Sequence, residues 1–205
     1  MPDHYYTQTP TSAHKPGQVD FLWRGAKLVF ETDSGVFSRT EIDKGTEILL
    51  NALPEELTGS LLDMGCGYGV IGVTLGKRYP GLSVVMSDVN ERAVELSRRN
   101  AQRNGVLARV MQSDGYADVP FQRMDWIVQN PPIRAGKSVI YAMFAEGARR
   151  LEPSGELWLV IRKQQGAESA VRYLKTLFGR VGAVSKKGGF WVLRCTQPAE
   201  RPDEE

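Results

Sequence analysis

Two periods of hydrophobic and polar positions alternate along the middle of the chain. An apolar run of strand length, SLLDM at 60–64, precedes a stretch with helical spacing over 70–79. The same succession recurs as SVVMSD at 83–88, followed by helical spacing over 91–104 that Gly105 ends. Because strands that alternate with helices build parallel sheets with right-handed crossovers, this pattern predicts the α/β fold class.

The alternation continues towards the C-terminus and then changes. Further elements are predicted in chain order as strands over 108–112 and 124–129, a helix over 138–150, a strand over 155–161 and a helix over 167–178. The segment 182–195 holds two β-rich runs joined by Lys187, Gly188 and Gly189, which is typical of a tight antiparallel hairpin. We therefore predict a seven-stranded, mostly parallel sheet with an antiparallel last strand.

A small extension precedes the alternating region. The segment 19–32 alternates between apolar and polar residues around a turn at 24–26, which predicts a β-hairpin. A helix is predicted over 44–52, shortly before Pro54. We divide the chain into a flexible arm at 1–17, a domain at 18–197 whose N-terminal extension covers 18–58, and an acidic tail at 198–205.

Composition favours one ordinary globular domain. Of the 205 residues 41% are apolar, which is enough for a buried core. The formal charge is +2, and because the tail at 198–205 contributes −3, the remainder carries +5. That mild basic excess permits an RNA-binding surface without requiring one. The chain has no apolar run of about 18 residues and no signal-peptide pattern at its start, so we predict a cytoplasmic protein that does not enter a membrane.

Neither the cysteines nor the histidines predict a metal site. Cys66 and Cys195 have no neighbours at metal-ligand spacing, and His4 and His14 both lie in the polar N-terminal stretch. We expect both thiols to be reduced and no metal to be bound. The sequence leaves a monomer and a homodimer equally open.

A glycine-rich loop follows the first strand of the alternating region. DMGCGYGVIG at 63–72 leads from a strand into a helix, and it carries glycines at 65, 67 and 69. Glycine permits a close approach that a Cβ would block, and the helix N-terminus offers free N–H donors. Asp88 stands at the end of the next strand, 19 residues after Gly69, where it would accept hydrogen bonds from ribose hydroxyls. The combination predicts a site for a nucleotide-type cofactor.

Two cofactors fit this loop. Residues 67–72 also satisfy the GxGxxG pattern of nicotinamide enzymes, in which Asp88 would bind the ribose equally well. S-adenosylmethionine (AdoMet) is favoured by Asp63, which stands where it would hold the ammonium of the cofactor's amino acid part, and no acid suited to hydride transfer follows. Asp114, in QSDG after the third strand, would accept from the adenine amino group, although an ordinary turn aspartate explains it equally well.

A rigid loop follows the fourth strand of the alternating region. NPPI at 130–133 lies at the predicted carboxyl edge of the sheet, where doubly wound folds bind ligands. Adjacent prolines fix φ and lack N–H groups, so carbonyl groups of the loop stay unpaired. The Asn130 side-chain oxygen and the Pro131 carbonyl would both accept from one NH2 group and turn its nitrogen lone pair towards a methyl donor. Methyl transfer to a nitrogen held in this way needs alignment rather than a strong base.

Together these motifs make the chain similar to a known family. From about Thr32 to Cys195 it resembles the small-domain methyltransferases, especially the catalytic half of the small-subunit ribosomal RNA guanine-N2 methyltransferase C family. The resemblance rests on TDSGVFSRTEIDKGTEILL, DMGCGYGVIG, SDVN, QSDG, QNPPIRAGK and RKQQGA in that order. It implies a Rossmann-like class I methyltransferase fold with AdoMet as the cofactor. The full-length family has an additional N-terminal methyltransferase-like domain, whereas this chain resembles the stand-alone short members.

The resemblance also implies roles for individual residues. The cofactor would lie on Asp63, Gly65, Cys66, Gly67, Gly69, Asp88, Val89, Asp114, Gly115 and Asn130. The target amine would lie on Asn130, Pro131, Pro132 and Ile133. Apart from the resemblance, the residues themselves suggest substrate contacts: an unpaired or flipped base would stack on Phe37 and Ile133, and phosphates would be held by Arg134, Lys137 and Lys163. Core packing for Phe37 and solvated surface charge for the three cations remain alternatives.

We therefore predict an AdoMet-dependent N-methyltransferase that acts on an exocyclic amine of an RNA base, with guanine N2 of ribosomal RNA as the implied target. The expected partner is ribosomal RNA or a ribosomal subunit. Three alternatives stay open: a protein glutamine N-methyltransferase, an NAD-dependent oxidoreductase, and a non-catalytic RNA-binding relic of a methyltransferase. The intact Asp63, Asp88 and Asn130 argue against the relic.

Overall fold

The main sheet and its helices follow the order that the sequence predicts. The computed structural model describes residues 8–120 and 122–199. Within them the strands are β1 (Gly17–Trp23), β2 (Ala26–Thr32), β3 (Ser60–Met64), β4 (Ser83–Asp88), β5 (Ala108–Gln112), β6 (Met124–Gln129), β7 (Leu151–Arg162), β8 (Phe178–Lys187) and β9 (Phe190–Pro198). The helices are α1 (Lys44–Ala52), α2 (Val70–Arg78), α3 (Glu91–Arg103), α4 (Lys137–Arg149) and α5 (Ala167–Leu174).

Seven of the described strands form one sheet, in the order β5-β4-β3-β6-β7-β9-β8. The strands from β5 to β7 in this order are all parallel to their neighbours. Strand β9 lies antiparallel between β7 and β8. It is joined to β8 by Gly188 and Gly189, whose φ angles of 57° and 79° suit a two-residue hairpin turn. The predicted fold class, a seven-stranded and mostly parallel sheet with an antiparallel last strand, is confirmed.

Consecutive residues of the central strand β3 enter two different hydrophobic cores. Leu61 packs with Leu49 of α1 and other residues of α2 and α3 on one face of the sheet. Leu62 packs on the opposite face with Phe144 of α4 and with residues of α5. All four of these side chains are fully buried. Because side chains alternate across a strand, a strand covered by helices on both faces is a continuous apolar run, as SLLDM is.

The predicted N-terminal hairpin is present as β1 and β2. Its turn consists of Arg24 and Gly25, with φ angles of 43° and 82°. Two positive φ angles give a turn whose twist matches that of the strands. The predicted turn at 24–26 was one residue too long, because Ala26 already pairs with Trp23.

Side-chain amides of α3 attach this hairpin to the main fold. Asn104 accepts from the Val29 N–H at 3.1 Å and donates to the Val29 carbonyl at 2.9 Å. Asn100 does the same with Glu31, at 2.7 Å and 3.0 Å. The free edge of a strand has unpaired backbone groups, and here two asparagines satisfy them. The extension is therefore held to α3 by a pattern that resembles strand pairing.

Three element boundaries of the main fold differ from the predicted ones by four residues, and one of them is the start of β8, at Phe178 rather than at 182. Helix α5 ends at Leu174 rather than at 178, because Phe178 already pairs with Pro198 in the sheet. Strand β7 begins at Leu151 rather than at 155, and its pairing with β6 shifts register there. A Cβ on Gly155 would lie 2.8 Å from the Met124 carbonyl oxygen, so this irregularity requires glycine. The ends of the other predicted helices in the main fold lie within one residue of the observed ones.

The N-terminal segment lies against the domain from residue 8 onwards. The buried guanidinium of Arg92 donates to the Ser12 carbonyl at 3.0 Å. The Lys15 N–H donates to the buried carboxyl group of Asp33 at 2.6 Å. Residues 8–16, which belong to the predicted flexible arm, thus have specific contacts with the domain.

The outermost parts of the chain lie beyond these contacts. Residues 1–7 of the predicted arm and residues 200–205 of the predicted acidic tail are outside the described residues. The division into arm, domain and tail therefore stays a prediction. Among the helices that the structure describes, none has the length and apolar character needed to cross a bilayer.

Candidate active site

A cavity of about 480 Å³ opens at the carboxyl edge of the parallel strands. Its walls are formed by the loops after β3, β4, β5 and β6 and by part of the N-terminal extension. The chain adds β4 and β5 on one side of β3 and then returns to place β6 on the other side. Ligands of doubly wound sheets bind at such a reversal of strand order. This cavity is therefore the candidate active site.

The cavity collects most of the predicted site residues. Those that line it are Phe37, Gly65, Cys66, Gly67, Asp88, Val89, Asp114, Gly115, Asn130, Pro131 and Pro132. The predicted site residues outside its lining are Asp63, Gly69, Ile133, Arg134, Lys137 and Lys163. No group of three or more His, Cys, Asp or Glu side chains that could hold a metal occurs in the described part of the chain.

The glycine loop presents bare backbone to the cavity. Gly65 and Gly67 have φ angles of 74° and 57°, in the left-handed region that side chains disfavour. The Gly65 N–H donates to the Ser87 carbonyl, and the Gly67 N–H donates to Oδ2 of Asp88, both at 2.8 Å. A Cβ on either glycine would meet no atom within 4 Å. The loop is thus fixed by hydrogen bonds while the space beside it stays open to a ligand.

The next two glycines belong to helix α2: Gly69 precedes its first turn, and Gly72 packs it against the sheet. Gly69, with φ of 91°, is the residue that precedes the first turn of α2. Gly72 faces β4, where an added Cβ would lie 2.6 Å from Sδ of the fully buried Met86. Close packing of helix against strand therefore requires glycine at 72, and it brings the N-terminus of α2 to the cavity.

Two carboxyl groups lie around the glycine loop, of which Asp63 is fully buried and Asp88 is half-buried. Asp63 lies beneath the loop, where its Oδ2 accepts from the Gly72 N–H at 2.8 Å and its Oδ1 has no partner in the described residues. Burial raises the pKa of Asp63 to about 7, against the lowering effect of that hydrogen bond. Burial likewise raises the pKa of Asp88 to about 6, although the N–H groups of Asn90 and Gly67 donate to it. A hydrogen-bond donor or a cation from a ligand would stabilise either group as a carboxylate.

The amide of Asn130 is fixed by two residues of the extension. Its Nδ2 donates to Oδ2 of Asp43 at 3.0 Å and to Oγ1 of Thr46 at 2.9 Å. Because a carboxylate only accepts, the contact with Asp43 determines which end of the amide carries the oxygen. Within the described residues neither the Asn130 Oδ1 nor the Pro131 carbonyl accepts a hydrogen bond, whereas the Pro132 carbonyl accepts one inside the loop. Two adjacent acceptors at the cavity are thus left for a ligand.

Asp43 and Thr46 are cavity residues that the sequence analysis missed. Asp43 caps the N-terminus of α1 by accepting from the Thr46 N–H at 2.9 Å. An acidic residue before a helical run is a readable capping signal. Its contact with Asn130 joins positions 87 residues apart, and no local pattern gives such a contact.

Tyr68 and Ser113 also line the cavity without having been predicted. The Tyr68 hydroxyl donates to the Ser38 carbonyl at 3.1 Å, and burial raises the pKa of Tyr68 well above its ordinary value. Tyr68 thereby joins the glycine loop to the segment that carries Phe37. The sequence placed Tyr68 inside the loop but gave no sign of which way its ring would point.

The predicted substrate contacts are spread over a wider area. Phe37 is 40% exposed at the cavity wall, so a base could stack on it. Ile133 is half-buried in the short turn Ile133–Ala135, and Arg134 and Lys137 are exposed beside it. Lys163 lies at a separate shallow depression together with Arg172. The structure therefore groups Arg134 and Lys137 near the Asn130 loop and leaves Lys163 apart.

Comparison with known proteins identifies the family. A model of the methyltransferase small domain matches residues 27–194. The chain belongs to the methyltransferase small-domain family. The uncharacterized protein YbxB of Bacillus subtilis (strain 168) is 44% identical over 198 residues, which cover 95% of this chain and 98% of YbxB. The ribosomal RNA small subunit methyltransferase C of Hahella chejuensis (strain KCTC 2396) is 42% identical over 170 residues, which cover 77% of this chain and 49% of that protein.

A comparison with solved structures also finds a methyltransferase. The T. thermophilus 16S rRNA N2 G1207 methyltransferase (RsmC), in complex with AdoMet and guanosine, matches with a TM-score of 0.79 and 27% identity. The match covers 91% of this chain and 51% of RsmC. This small-domain methyltransferase thus spans about half the length of the methyltransferase C relatives that it matches. The predicted methyltransferase fold and AdoMet as its cofactor are confirmed, and the oxidoreductase alternative is set aside.

Proposed function

We propose that this small-domain methyltransferase transfers a methyl group from AdoMet to an exocyclic amine of an RNA base, with guanine N2 of ribosomal RNA as its target. The observation that carries the proposal is the pair of adjacent acceptors at Asn130 Oδ1 and the Pro131 carbonyl, neither of which is used by a donor in the described residues. An NH2 group has two hydrogens to donate, and this pair of acceptors matches them. The substrate is supported by the names of the relatives, of which several are ribosomal RNA methyltransferases.

The residues around the glycine loop suit the parts of AdoMet. The bare backbone of Gly65 and Gly67 leaves room that a Cβ would fill, and Asp88 faces the same space. The buried Asp63 Oδ1 lacks a partner in the described residues, so a cation near the loop would stabilise it. Asp63 lies behind the loop and outside the cavity lining, so we assign it an electrostatic role rather than a direct contact. Asp114 and Gly115, which line the cavity after β5, would be neighbours of the adenine.

AdoMet supplies an electrophilic methyl group on its sulfonium, and the chain supplies alignment. Asp43 and Thr46 hold the Asn130 amide so that its oxygen is presented to the amine. The two prolines keep the loop rigid and add no competing N–H donor. An amine that donates both hydrogens to fixed acceptors has its nitrogen lone pair directed away from them, which is the alignment an in-line displacement needs. The proton can then leave after the methyl group has been transferred, without a strong base.

RNA recognition would combine stacking with phosphate contacts. Phe37 offers an exposed ring at the cavity wall, on which an unpaired or flipped base would stack. Arg134 and Lys137 are exposed beside the Asn130 loop and would bind phosphates next to the target nucleotide. Lys163 would reach phosphates farther from the cavity, because it lies at a separate depression.

The proposal is tested by following radiolabelled methyl groups from AdoMet into separate pools of ribosomal RNA, ribosomal subunits and cytosolic protein. Nucleosides from each RNA pool are then digested and separated. We expect label in N2-methylguanosine and none above background with Asn130→Ala. Label confined to protein glutamine would refute the RNA assignment, and equal labelling by Asn130→Ala would refute the role of the acceptor pair.

A further inference from the structure

The two oxygens of the Asp43 carboxyl group differ in their contacts: one accepts hydrogen bonds from the protein, and no described residue donates to the other. Its Oδ2 accepts from the Thr46 N–H at 2.9 Å and from Nδ2 of Asn130 at 3.0 Å. Its Oδ1 accepts no hydrogen bond from the residues that the structure describes. Asp43 is half-buried and lines the cavity. An acidic acceptor without a protein donor therefore stands directly beside the Asn130 amide.

The hydroxyl groups that line the cavity near Asp43, those of Tyr68, Ser38 and Thr46, already have hydrogen-bond partners in the protein. The Tyr68 hydroxyl donates to the Ser38 carbonyl at 3.1 Å, and the Ser38 hydroxyl donates to the Glu41 carbonyl at 2.7 Å. The Thr46 hydroxyl accepts from Asn130 at 2.9 Å. A ligand that reaches the Asn130 loop therefore meets one charged acceptor among these residues, the Oδ1 of Asp43, to which no described protein group donates. A buried or half-buried charge of this kind favours a ligand that brings a donor.

Exocyclic amines differ in the group that stands next to them. In guanine the N2 amine is adjacent to the ring N1–H, which is a second donor. In adenine and cytosine the amine is adjacent to a ring nitrogen that accepts, and in a glutamine amide it is adjacent to a carbonyl oxygen. A carboxylate beside the amine acceptors would attract the N1–H of guanine. It would repel the ring nitrogen next to the amine in adenine and cytosine, and the carbonyl oxygen of a glutamine amide.

We propose that Asp43 is the specificity-determining residue, with Oδ1 accepting the ring N1–H of guanine while Asn130 and Pro131 accept its N2 amine. This inference rests on the proposed function, because it assumes that an amine lies at the Asn130 loop. It adds a reason why guanine is the base selected. A site that leaves a charged acceptor facing another acceptor loses far more binding free energy than one that merely loses a contact.

The decisive variant is Asp43→Asn. Asparagine is as good a helix cap as aspartate, so α1 should keep its N-terminus. The side-chain oxygen of the variant would turn towards the two N–H donors at Thr46 and Asn130, which leaves the NH2 group where Oδ1 was. That position then offers a donor to the base instead of an acceptor. We expect N2-methylguanosine formation in ribosomal RNA to fall on the order of 10- to 100-fold, while N6-methyladenosine gains relative to it.

Two further variants separate specificity from other roles of Asp43. Thr46→Val removes one acceptor for the Asn130 amide but leaves Asp43 in place, so it should lower guanine and adenine methylation together without changing their ratio. Glu47→Gln removes a charge from an exposed position on the same turn of α1, outside the cavity lining, and should change neither rate nor ratio. AdoMet affinity, measured by calorimetry, should stay within about twofold of wild type in Asp43→Asn.

A binding measurement tests the inference without turnover. Guanosine is compared with 2-aminopurine riboside, which keeps the amine but has an acceptor in place of the N1–H, using protein saturated with S-adenosylhomocysteine, which has no methyl group to transfer. Wild-type protein should bind guanosine about tenfold or more tightly, and Asp43→Asn should lose this preference. A wild-type protein without any preference for guanosine overturns the inference.

Failure of the inference and failure of the proposed function give different results. Wild-type protein that forms N2-methylguanosine, combined with an Asp43→Asn variant within twofold of its rate, overturns the inference alone. A strong loss of AdoMet affinity in Asp43→Asn with an unchanged guanine-to-adenine ratio assigns Asp43 to the cofactor and also overturns it. Wild-type protein that forms no N2-methylguanosine in any RNA pool overturns the proposed function itself.

Discussion

Affinity for AdoMet should rise between about pH 5 and about pH 8, because two carboxyl groups at the glycine loop hold their protons tightly. Burial raises the pKa of Asp88 to about 6 and the pKa of Asp63 to about 7. Asp88 lines the cavity, where ribose hydroxyls would donate to its carboxylate, and the ammonium of AdoMet would stabilise Asp63 as an anion. Binding then releases protons, so the apparent dissociation constant increases as the pH falls.

The size of the effect follows from the two pKa values. At about pH 5, one unit below the pKa of Asp88, about a tenth of the protein has this group ionised, and at about pH 8 nearly all of it does. The apparent dissociation constant is the intrinsic one divided by the competent fraction, so Asp88 alone weakens binding about tenfold at the lower pH. If Asp63 must also ionise, its pKa two units above pH 5 adds a factor of about 100.

The assay is calorimetric titration of AdoMet at several pH values, with wild type and Asp88→Asn side by side. The variant cannot ionise at 88, so it should bind more weakly at about pH 8 and lose the tenfold component of the pH dependence. Asp118→Asn is the matched control, since Asp118 is exposed and lies outside the cavity lining. A wild-type dissociation constant that stays flat over this range, or an Asp88→Asn variant with the wild-type slope, would refute the reasoning.

Stability changes with pH in the opposite direction, which keeps the two effects apart. The folded pKa of Asp88 exceeds its ordinary value of 3.8, so the folded protein holds this proton more tightly than the unfolded chain does. The contribution of Asp88 to stability is therefore present below about pH 4 and lost as the pH rises through about 6, and two pKa units correspond to about 3 kcal/mol. Protonation of Asp88 at about pH 5 stabilises the folded protein, so it cannot weaken AdoMet binding by unfolding the chain. Circular dichroism at each pH checks that the fold is intact.

Three further predictions concern the cavity and its support. Asn130→Ala should reduce methyl transfer about 100-fold or more while the AdoMet dissociation constant stays within about twofold; equal loss of binding would assign Asn130 to the cofactor. Thr46→Val should reduce turnover about five- to tenfold, because one hydrogen bond to the Asn130 amide is lost, and Thr46→Ser should restore it; a serine variant as slow as the valine variant would contradict this. Gly72→Ala should lower the free energy of unfolding by about 1–3 kcal/mol in a urea titration, since its Cβ would collide with buried Met86, and an unchanged midpoint would mean that this packing is loose.

The sequence predicted the alternation of strand and helix because each element of the main fold has its own hydrophobic pattern or capping residues. SLLDM is covered on both faces and is therefore continuously apolar, and the helix over 91–103 is bounded by the capping Asn90 and by Gly105. The pattern failed where local and tertiary preferences conflict. Leu174 and Phe178 keep helical spacing, yet Phe178 joins the sheet because it pairs with Pro198 at the far end of the β8–β9 hairpin.

The site was predictable to the extent that it is built from continuous motifs. Gly65, Gly67 and Asp88 line the cavity because a loop and the neighbouring strand place them at one sheet edge. Asp63 was predicted to hold the ammonium of AdoMet; in the structure it is fully buried beneath the loop, where the Gly72 N–H of α2 donates to it, and it lies outside the cavity lining. The role of Asp43 depends on a contact across 87 residues, so only the folded structure reveals it.

The two halves of the cavity have different structural origins, and this has a functional consequence. The wall proposed for AdoMet belongs to the parallel sheet and its first loops, whereas the amine acceptors depend on the extension, which supplies Phe37, Asp43 and Thr46. The extension is fixed in turn by the packing of α1 in the core and by the asparagine contacts of α3 with β2. A sheet and a glycine loop alone would leave the Asn130 amide free to rotate, because both acceptors for its Nδ2 come from α1 and its cap. If the proposed function holds, cofactor binding should therefore survive changes in the extension that abolish methyl transfer, and the choice of base should depend on the extension rather than on the Rossmann-like sheet.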